Sequence, residues 1–241
     1  MPATTSSSDV NIWAIVPAAG SGSRMRSATP KQYLDLSGRP VIEHTLAALF
    51  AVPRITGIVV AVADGDATWP NIAGCFSGRR LEQVGGGAER CHSVLNALEA
   101  LRQRAEASDW VLVHDAARPC LHHDDLDALI RGLAEDPVGG LLGVQVNDTV
   151  KRVDERGRVA GTVPREGIWR AFTPQMFRLQ ALHDALSRAL QLGEMVTDDA
   201  SAMELAGQRP KLVPGRPDNI KITRPEDLAL AEYYLSRQSL A

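Results

Sequence analysis

Short runs of apolar, strand-forming residues alternate along this chain with longer segments of helical period, and no other feature constrains the fold as strongly. The runs Ile12–Val16, Ile58–Val62 and Trp110–Val113 have the length and composition of buried strands. Between the first two, Val41–Phe50 repeats its apolar residues at spacings of three and four, as an amphipathic helix does. The pattern predicts a doubly wound α/β fold with a mostly parallel sheet. The loops that follow its strands should meet at one edge, where ligands bind.

The same pattern assigns elements to most of the remaining chain. Further strands are predicted at 81–84, 139–146 and 168–172, and near Lys211 and Ile220. Further helices are predicted at 89–105, 124–133, 179–192, 201–205 and 225–235. We expect residues 1–10 to be a flexible tail. Residues 11–241 should form a single domain, because this length is ordinary for one α/β unit.

The alternation stops at residues 147–166. Two strand-like runs, Thr149–Val153 and Val159–Val163, flank a polar turn at Asp154–Gly157, and this predicts a β-hairpin. A two-stranded hairpin is marginally stable alone and needs another surface to pack on. We therefore expect 147–166 to be a β-arm that projects from the body and mediates dimerisation. Packing of the arm on its own domain is the alternative.

The composition excludes several classes of function. A formal net charge of -3, from 26 Lys and Arg against 29 Asp and Glu, argues against a nucleic-acid-binding protein, so an anionic ligand must be held by local charges. The three cysteines form no CxxC pair, which argues against a disulfide framework and a zinc site and favours the reducing cytoplasm. The sequence contains neither an apolar run of 18 residues nor a signal-peptide pattern, so no contact with a membrane is expected.

A glycine-containing loop follows the first strand. Gly20 and Gly22 would let the backbone approach a polyphosphate closely and present N–H groups to its oxygens. The dinucleotide fingerprint GxGxxG would need glycine at Met25, and the P-loop pattern has no match in this region. Arg24 and Lys31 add two cations beside the loop, an arrangement that phosphoryl and nucleotidyl transfer require. An ordinary glycine turn with surface cations is the alternative.

The segments Val16–Met25 and Pro30–Tyr33 resemble the opening of nucleotidyltransferases that make sugar and polyol nucleotides. They are most similar to the 2-C-methyl-D-erythritol 4-phosphate cytidylyltransferases of the non-mevalonate isoprenoid pathway. Further matching motifs follow in order: Gly86–Arg90 with Ser93 and Val94, Val113–Pro119, Asp148–Thr149, Thr173–Gln175, Thr197–Ser201 and Asp218–Asp227. The resemblance implies a Rossmann-like nucleotidyltransferase fold. It also implies that CMP is transferred from CTP to 2-C-methyl-D-erythritol 4-phosphate, with release of pyrophosphate.

The resemblance also implies roles for individual residues. Arg24 and Lys31 would stabilise the transition state at the α-phosphorus, and Arg165 and Lys221 would join them as catalytic residues. The nucleotide would be bound by Pro17, Ala18, Ala19, Gly20, Gly22, Gly86, Gly87, Ser93, Asp115 and Ala116. The methylerythritol phosphate would be held by Thr149, Arg165, Thr173 and Lys221.

The implied enzyme is a homodimer. Thr149 and Arg165 stand at the two ends of the arm, and in the family the corresponding residues reach into the partner subunit's site. The implied cofactor is Mg2+, which the triphosphate and water would mainly hold, so no protein metal ligand is assigned.

One position departs from the family pattern, and two further functions stay open. Ala88 stands where the family has Asp, so a polar contact near the base is missing or supplied elsewhere. Asp115 could instead cap a turn and pair with Arg118. A cytidylyltransferase for another polyol phosphate, such as ribitol 5-phosphate, would have a similar nucleotide site. A nucleotide-sensing dimer without turnover could also have the glycine loop, although it would not need the two cations.

Some conspicuous polar residues are predicted to have structural roles. The run His122–Asp125 suits a helix start better than a metal site, because acids are stabilised in the first turn. Asp198 and Asp199 are likewise expected to precede a helix. Cys91 and Cys120 are interpreted as small core residues, since no evident base accompanies either thiol.

Overall fold

The computed structural model describes residues 10–20 and 29–238. The strands are β1 (Ile12–Pro17), β2 (Asp35–Leu36), β3 (Arg39–Pro40), β4 (Ile55–Val62), β5 (Leu81–Gly85), β6 (Trp110–Val113), β7 (Gly139–Gln145), β8 (Val150–Val153), β9 (Val159–Val163), β10 (Trp169–Arg178) and β11 (Lys211–Pro214). The helices are α1 (Val41–Phe50), α2 (Trp69–Gly74), α3 (Arg90–Arg102), α4 (His123–Leu133), α5 (Leu179–Gln191), α6 (Asp199–Leu205) and α7 (Glu226–Gln238), with a 3-10 turn at Lys31–Tyr33. Among the described residues, no helix combines the length and the apolarity that a membrane span needs.

Seven of the strands form one sheet in the order β11-β7-β10-β6-β1-β4-β5. Its pairs are parallel except on both sides of β10, which runs antiparallel to β6 and β7. Alternate residues of β1 enter different cores: Ala14 and Val16 pack with α1, α2 and α4, whereas Trp13 and Ile15 pack with α3, α5 and α6. The sheet therefore has helices on both faces, which confirms the predicted doubly wound, mostly parallel α/β fold.

The predicted elements differ from the structure in several places, among them the short strands β2 and β3, which were not predicted. The strand predicted at 168–172 continues to Arg178, and its pairing with β7 shifts register between Ala171 and Gln175, which accommodates Pro174 within a strand. The strand predicted near Ile220 is wrong, because this residue has no partner in a sheet. Helix α2 was not predicted, since it has only six residues and therefore too few turns to show a period.

The predicted hairpin is confirmed. Strands β8 and β9 pair antiparallel as a sheet of their own, apart from the seven-stranded sheet. Val153 and Val159 on these strands are 55% and 63% exposed. The hairpin thus leaves apolar surface in contact with solvent in the single chain.

The predicted helix starts are confirmed as well. The His122 side chain caps α4 by accepting a hydrogen bond from the N–H of Asp124, and Asp198 caps α6 by accepting one from Ser201. Both Cys91 and Cys120 are buried, as expected.

Candidate active site

The first residues of the loop after β1, Ala18–Gly20, form one wall of a cavity at the edge of the sheet where the parallel strands end. Ala18 donates its N–H to the carbonyl of Ala61 at 2.7 Å, so the loop leaves β1 beside the end of β4. The buried Gln32 side chain donates to the carbonyls of Ala18 (2.7 Å) and Gly20 (3.2 Å). Gln32 therefore fixes the loop to the 3-10 turn that also carries Lys31.

The turn between β5 and α3 forms the opposite wall. A Cβ atom on Gly86 would lie 2.1 Å from the Cβ of Ala19, so only glycine allows the two walls to approach this closely. The Ser93 hydroxyl accepts a hydrogen bond from the N–H of Gly87 (3.0 Å) and donates one to the carbonyl of Glu89 (3.2 Å). Helix α3 thereby holds the glycine turn in place.

A charged cluster lies at the centre of the site. The Asp115 carboxylate, just after β6, contacts Arg90 Nε at 2.8 Å and Lys221 Nζ at 2.7 Å. The same Arg90 guanidinium binds Asp199 with two hydrogen bonds of 2.8 and 3.2 Å. The alternative partner expected for Asp115, Arg118, is more distant at 3.8 Å. Arg90 thus joins two buried acids from different parts of the fold.

The pKa values of the two acids of this cluster are shifted in opposite directions. Burial alone would raise the pKa of Asp115, but Arg90 and Lys221 hold this pKa well below its usual range. Burial raises the pKa of Asp199 despite its contact with Arg90, because Asp115 and Asp198 add negative charge nearby. Asp115 is therefore a fixed anion that orients Lys221.

Thr173 belongs to a buried hydrogen-bond network beneath the cluster. Its hydroxyl accepts from the N–H of Asp115 (3.1 Å), which leaves its proton for His114 Nδ1 (3.1 Å). The other ring nitrogen, Nε2, then donates to the carbonyl of Arg118 (3.1 Å). Burial lowers the pKa of His114 to about 4, so this neutral tautomer persists at neutral pH. Asn219 completes the network by donating to the carbonyl of Thr173 at 2.9 Å.

Two adjoining cavities share the charged cluster. The larger, about 480 Å³, contains Lys31, the loop after β1 and the glycine turn. The smaller, about 230 Å³, contains Thr173, Gln175 and Asp198. Arg90, Asp115 and Lys221 line both. A ligand in one cavity and a ligand in the other would therefore meet at these three side chains.

The structure brings most of the sequence-predicted site residues to these cavities. Those that line the larger one are Pro17, Ala18, Ala19, Gly20, Lys31, Gly87, Ser93, Asp115, Ala116 and Lys221. Thr173 lines the smaller one, and Gly86 packs behind the wall against Ala19. Gly22 and Arg24 lie outside the described residues.

Two predicted residues lie elsewhere. Thr149 and Arg165 are exposed at the ends of the hairpin and line neither cavity of their own chain. The Arg165 guanidinium donates to the carbonyl of Asn147, across the base of the arm.

Three residues of the site were not predicted from the sequence to be functional: Gln32, Arg90 and Asp199. All three stand inside motifs that carry the family resemblance, and this was the available signal. Nothing local indicated their partners, because Arg90 and Asp199 are 109 positions apart.

Comparison with known proteins identifies the family. The family model described as "IspD: 2-C-methyl-D-erythritol 4-phosphate cytidylyltransferase" matches residues 12–237. A 2-C-methyl-D-erythritol 4-phosphate cytidylyltransferase from Pseudomonas aeruginosa is 58% identical over 217 residues, which cover 90% of this chain and 92% of that protein. One from Pseudomonas putida is 56% identical with the same coverage.

Solved structures agree with this assignment. The crystal structure of the Francisella tularensis 2-C-methyl-D-erythritol 4-phosphate cytidylyltransferase superposes with a TM-score of 0.80 at 36% identity, covering 93% of this chain and 99% of that one. The Thermus thermophilus structure of the same name gives 0.76 at 31% identity, covering 95% and 100%. The chain belongs to the 2-C-methyl-D-erythritol 4-phosphate cytidylyltransferase family.

Proposed function

We propose that this chain transfers the cytidylyl group of CTP to 2-C-methyl-D-erythritol 4-phosphate, giving 4-diphosphocytidyl-2-C-methyl-D-erythritol and pyrophosphate. Family membership supports the reaction. The single observation that carries the mechanism is the cluster of Arg90, Asp115 and Lys221 between two cavities. Two substrates bound side by side would bring their reacting phosphates together there.

The nucleotide occupies the larger cavity in this proposal. Its walls at Pro17–Gly20 and Gly87 are small residues, so backbone N–H groups can approach a triphosphate closely. Lys31 lines the same cavity and supplies a fixed positive charge. Such a charge stabilises the transition state at the α-phosphorus, where negative charge increases during transfer. Arg24 is proposed to act beside it.

The polyol phosphate occupies the smaller cavity, beside Thr173 and Lys221. Its phosphate is already ionised and needs no strong general base. One of its oxygens attacks the α-phosphorus in line, an O–P bond forms, and the bond to pyrophosphate breaks. Lys221 positions the attacking phosphate, while Asp115, held by Arg90, positions Lys221.

The arm supplies the remaining contacts from a second copy of the chain. Thr149 and Arg165 line neither cavity of their own chain, although the family resemblance assigns both to the polyol phosphate. A homodimer in which residues 147–166 cross to the partner would bring them into its smaller cavity. Contact with the partner would also cover Val153 and Val159, which are more than half exposed here.

Mg2+ fits this site as an ion held mainly by the triphosphate. The Asp115 carboxylate lines both cavities, but its two oxygens already contact Arg90 and Lys221. Both oxygens of this central carboxylate are therefore occupied, and Mg2+ readily keeps phosphate and water ligands. When bound, the ion would neutralise charge on the leaving pyrophosphate. Lys31 and the backbone N–H groups would hold the phosphates around it.

We place the reaction in the cytoplasm, on small-molecule substrates. The net charge of -3 supports a protein that does not bind nucleic acid. The two alternatives from the sequence predict different assay results. A ribitol 5-phosphate enzyme would prefer another acceptor, and a nucleotide-sensing dimer would bind CTP without turnover.

Pyrophosphate release with CTP and a panel of polyol phosphates tests the proposal. We expect kcat/KM for 2-C-methyl-D-erythritol 4-phosphate to exceed that for ribitol 5-phosphate by at least about 10-fold, because the acceptors differ in shape where the cavity contacts them. Faster reaction with ribitol 5-phosphate would refute the acceptor. CTP binding without release of pyrophosphate from CTP in the presence of any acceptor would refute catalysis.

A further inference from the structure

Three side chains capable of ligating a metal meet at the start of α3, beside the larger cavity but outside the charged cluster. They belong to Glu89, Cys91 and His92, and their ligand atoms all lie within 4.8 Å of one another. The Cys91 sulfur is 3.8 Å from Glu89 Oε2 and 3.9 Å from His92 Nδ1. The mechanism uses none of these three side chains.

The separation of the sulfur and nitrogen atoms is close to what a tetrahedral zinc ion requires. Zinc bonds of about 2.3 Å to sulfur and about 2.0 Å to nitrogen place those two atoms roughly 3.6 Å apart. The observed sulfur–nitrogen distance of 3.9 Å exceeds this by only about 0.3 Å. Rotation of exposed Glu89 and half-buried His92 can supply so small a shift without moving the backbone.

The charges around the cluster are compatible with a cation. Arg90 lies between Glu89 and Cys91 in sequence, but its guanidinium is turned towards Asp115 and Asp199. Cys91 stands in the first turn of α3, where helix N–H groups stabilise a thiolate. This thiolate and the Glu89 carboxylate together would supply two negative charges to balance a divalent cation. Burial raises the pKa of this thiol, so a metal would have to displace its proton. Binding therefore forms a metal–sulfur bond and releases one proton to solvent.

We propose that Glu89, Cys91 and His92 form a binding site for a soft divalent transition metal, Zn2+, with water in the fourth position. Thiolate and imidazole select zinc over magnesium, which prefers oxygen ligands, so this ion is distinct from the Mg2+ that accompanies CTP. Glu89 lines the larger cavity, and His92 packs directly behind Gly87, where a Cβ atom would lie 2.3 Å from that of His92. The site thus lies in the wall of the nucleotide cavity.

Cobalt provides a spectroscopic test with the full-length protein. Co2+ replaces Zn2+ in such sites and gives a thiolate-to-cobalt charge-transfer band. We expect one equivalent of Co2+ per chain to produce this band, Zn2+ to remove it, and excess Mg2+ to leave it unchanged. The band should be lost in Cys91→Ser and kept in Cys75→Ser, which removes an exposed thiol elsewhere.

A second pair of variants keeps the test decisive if Cys91→Ser fails to fold. His92→Asn should weaken Co2+ binding by at least about 10-fold, whereas His123→Asn at the start of α4 should not change it. The proposal is overturned if the band survives in Cys91→Ser, disappears in Cys75→Ser, or never forms. Equal Co2+ affinity in His92→Asn and the parent protein would overturn it as well.

Discussion

Asp115 and Lys221 at the sheet edge are held by buried and half-buried partners, whereas Thr149 and Arg165 at the ends of the arm are exposed. The sheet edge gathers residues from distant parts of one chain, and the family resemblance assigns most of them to nucleotide binding. The arm carries two residues that the family resemblance assigns to acceptor binding, but these residues line neither cavity of their own chain. The proposed homodimer accounts for this difference, because in it one chain builds the nucleotide site and two chains share the acceptor site.

The largest effect should come from breaking the buried cluster at the sheet edge. Arg90→Met removes the cation that contacts both Asp115 and Asp199, and leaves Asp199 without its partner. We expect the free energy of unfolding to fall by about 3–5 kcal/mol, as when one member of a buried ion pair is lost. Urea denaturation measures the change.

The arm provides the matched control for this variant. Lys151 is exposed and contacts only Thr162 in the described contacts of its side chain. Lys151→Ala should therefore alter the free energy of unfolding by no more than about 0.5 kcal/mol. If both substitutions lowered the free energy of unfolding equally, the charged contacts of the sheet edge would contribute no more to stability than those of the arm.

Acid should weaken the sheet edge through His114. Its pKa falls from 6.5 to about 4 on folding because the ring is buried, so the unfolded chain takes up the proton first as the pH falls. The native state then loses about 3 kcal/mol between these two pH values. Denaturation at several pH values should show this loss in the parent protein. If the free energy of unfolding of a His114→Gln variant fell equally with pH, groups other than His114 would be responsible for the loss.

Removing the charge of Lys31 tests the catalytic role of the nucleotide cavity. In Lys31→Ala we expect kcat to fall by about 10²-fold or more, close to 2.7 kcal/mol, while CTP binding weakens less. The exposed Lys211, on edge strand β11, provides the control, and Lys211→Ala should leave kcat unchanged. If Lys31→Ala raised only the KM for CTP, Lys31 would bind the ground state and not the transition state.

The smallest expected effect concerns base selection. Ala88 lines the larger cavity where the family pattern has a carboxylate. Restoring it in Ala88→Asp should raise the preference for CTP over UTP by about 5-fold, since one hydrogen bond contributes on the order of 1 kcal/mol. Comparison of kcat/KM for the two nucleotides measures this, with the exposed Ala67→Asp as a charge-matched control. An unchanged ratio in Ala88→Asp would mean that the base is selected by other groups.

Local patterns were sufficient to predict much of the fold. The periodic segment Val41–Phe50 forms α1 with the same bounds, and the hairpin strand Val159–Val163 matches β9. Local patterns failed where long-range contacts decide the structure. The strand β10 continues through Pro174 because it pairs with both neighbouring strands, which no local pattern indicates.

Some residues of the candidate site were likewise predictable from local patterns, whereas others depend on long-range contacts. The loop after β1 and Asp115 after β6 were predictable, because parallel strands end at a common edge. The contact of Arg90 with Asp199 was not, since it depends on how α6 packs against α3 and β10. Lys221 lies beside the strand that was wrongly predicted near Ile220, and only the family resemblance indicated a functional role for it before the structure placed it beside Asp115.

Subunit mixing tests most directly the claim that two chains share the acceptor site. Arg165→Ala and Lys221→Ala should each be nearly inactive as homodimers, because each removes a cation from every site. After subunit exchange, half of the dimers are mixed and each has one intact site, so we expect recovery of about one quarter of the parent activity. No recovery, with heterodimers demonstrated by mass spectrometry, would place both residues in the same chain's site and contradict the account.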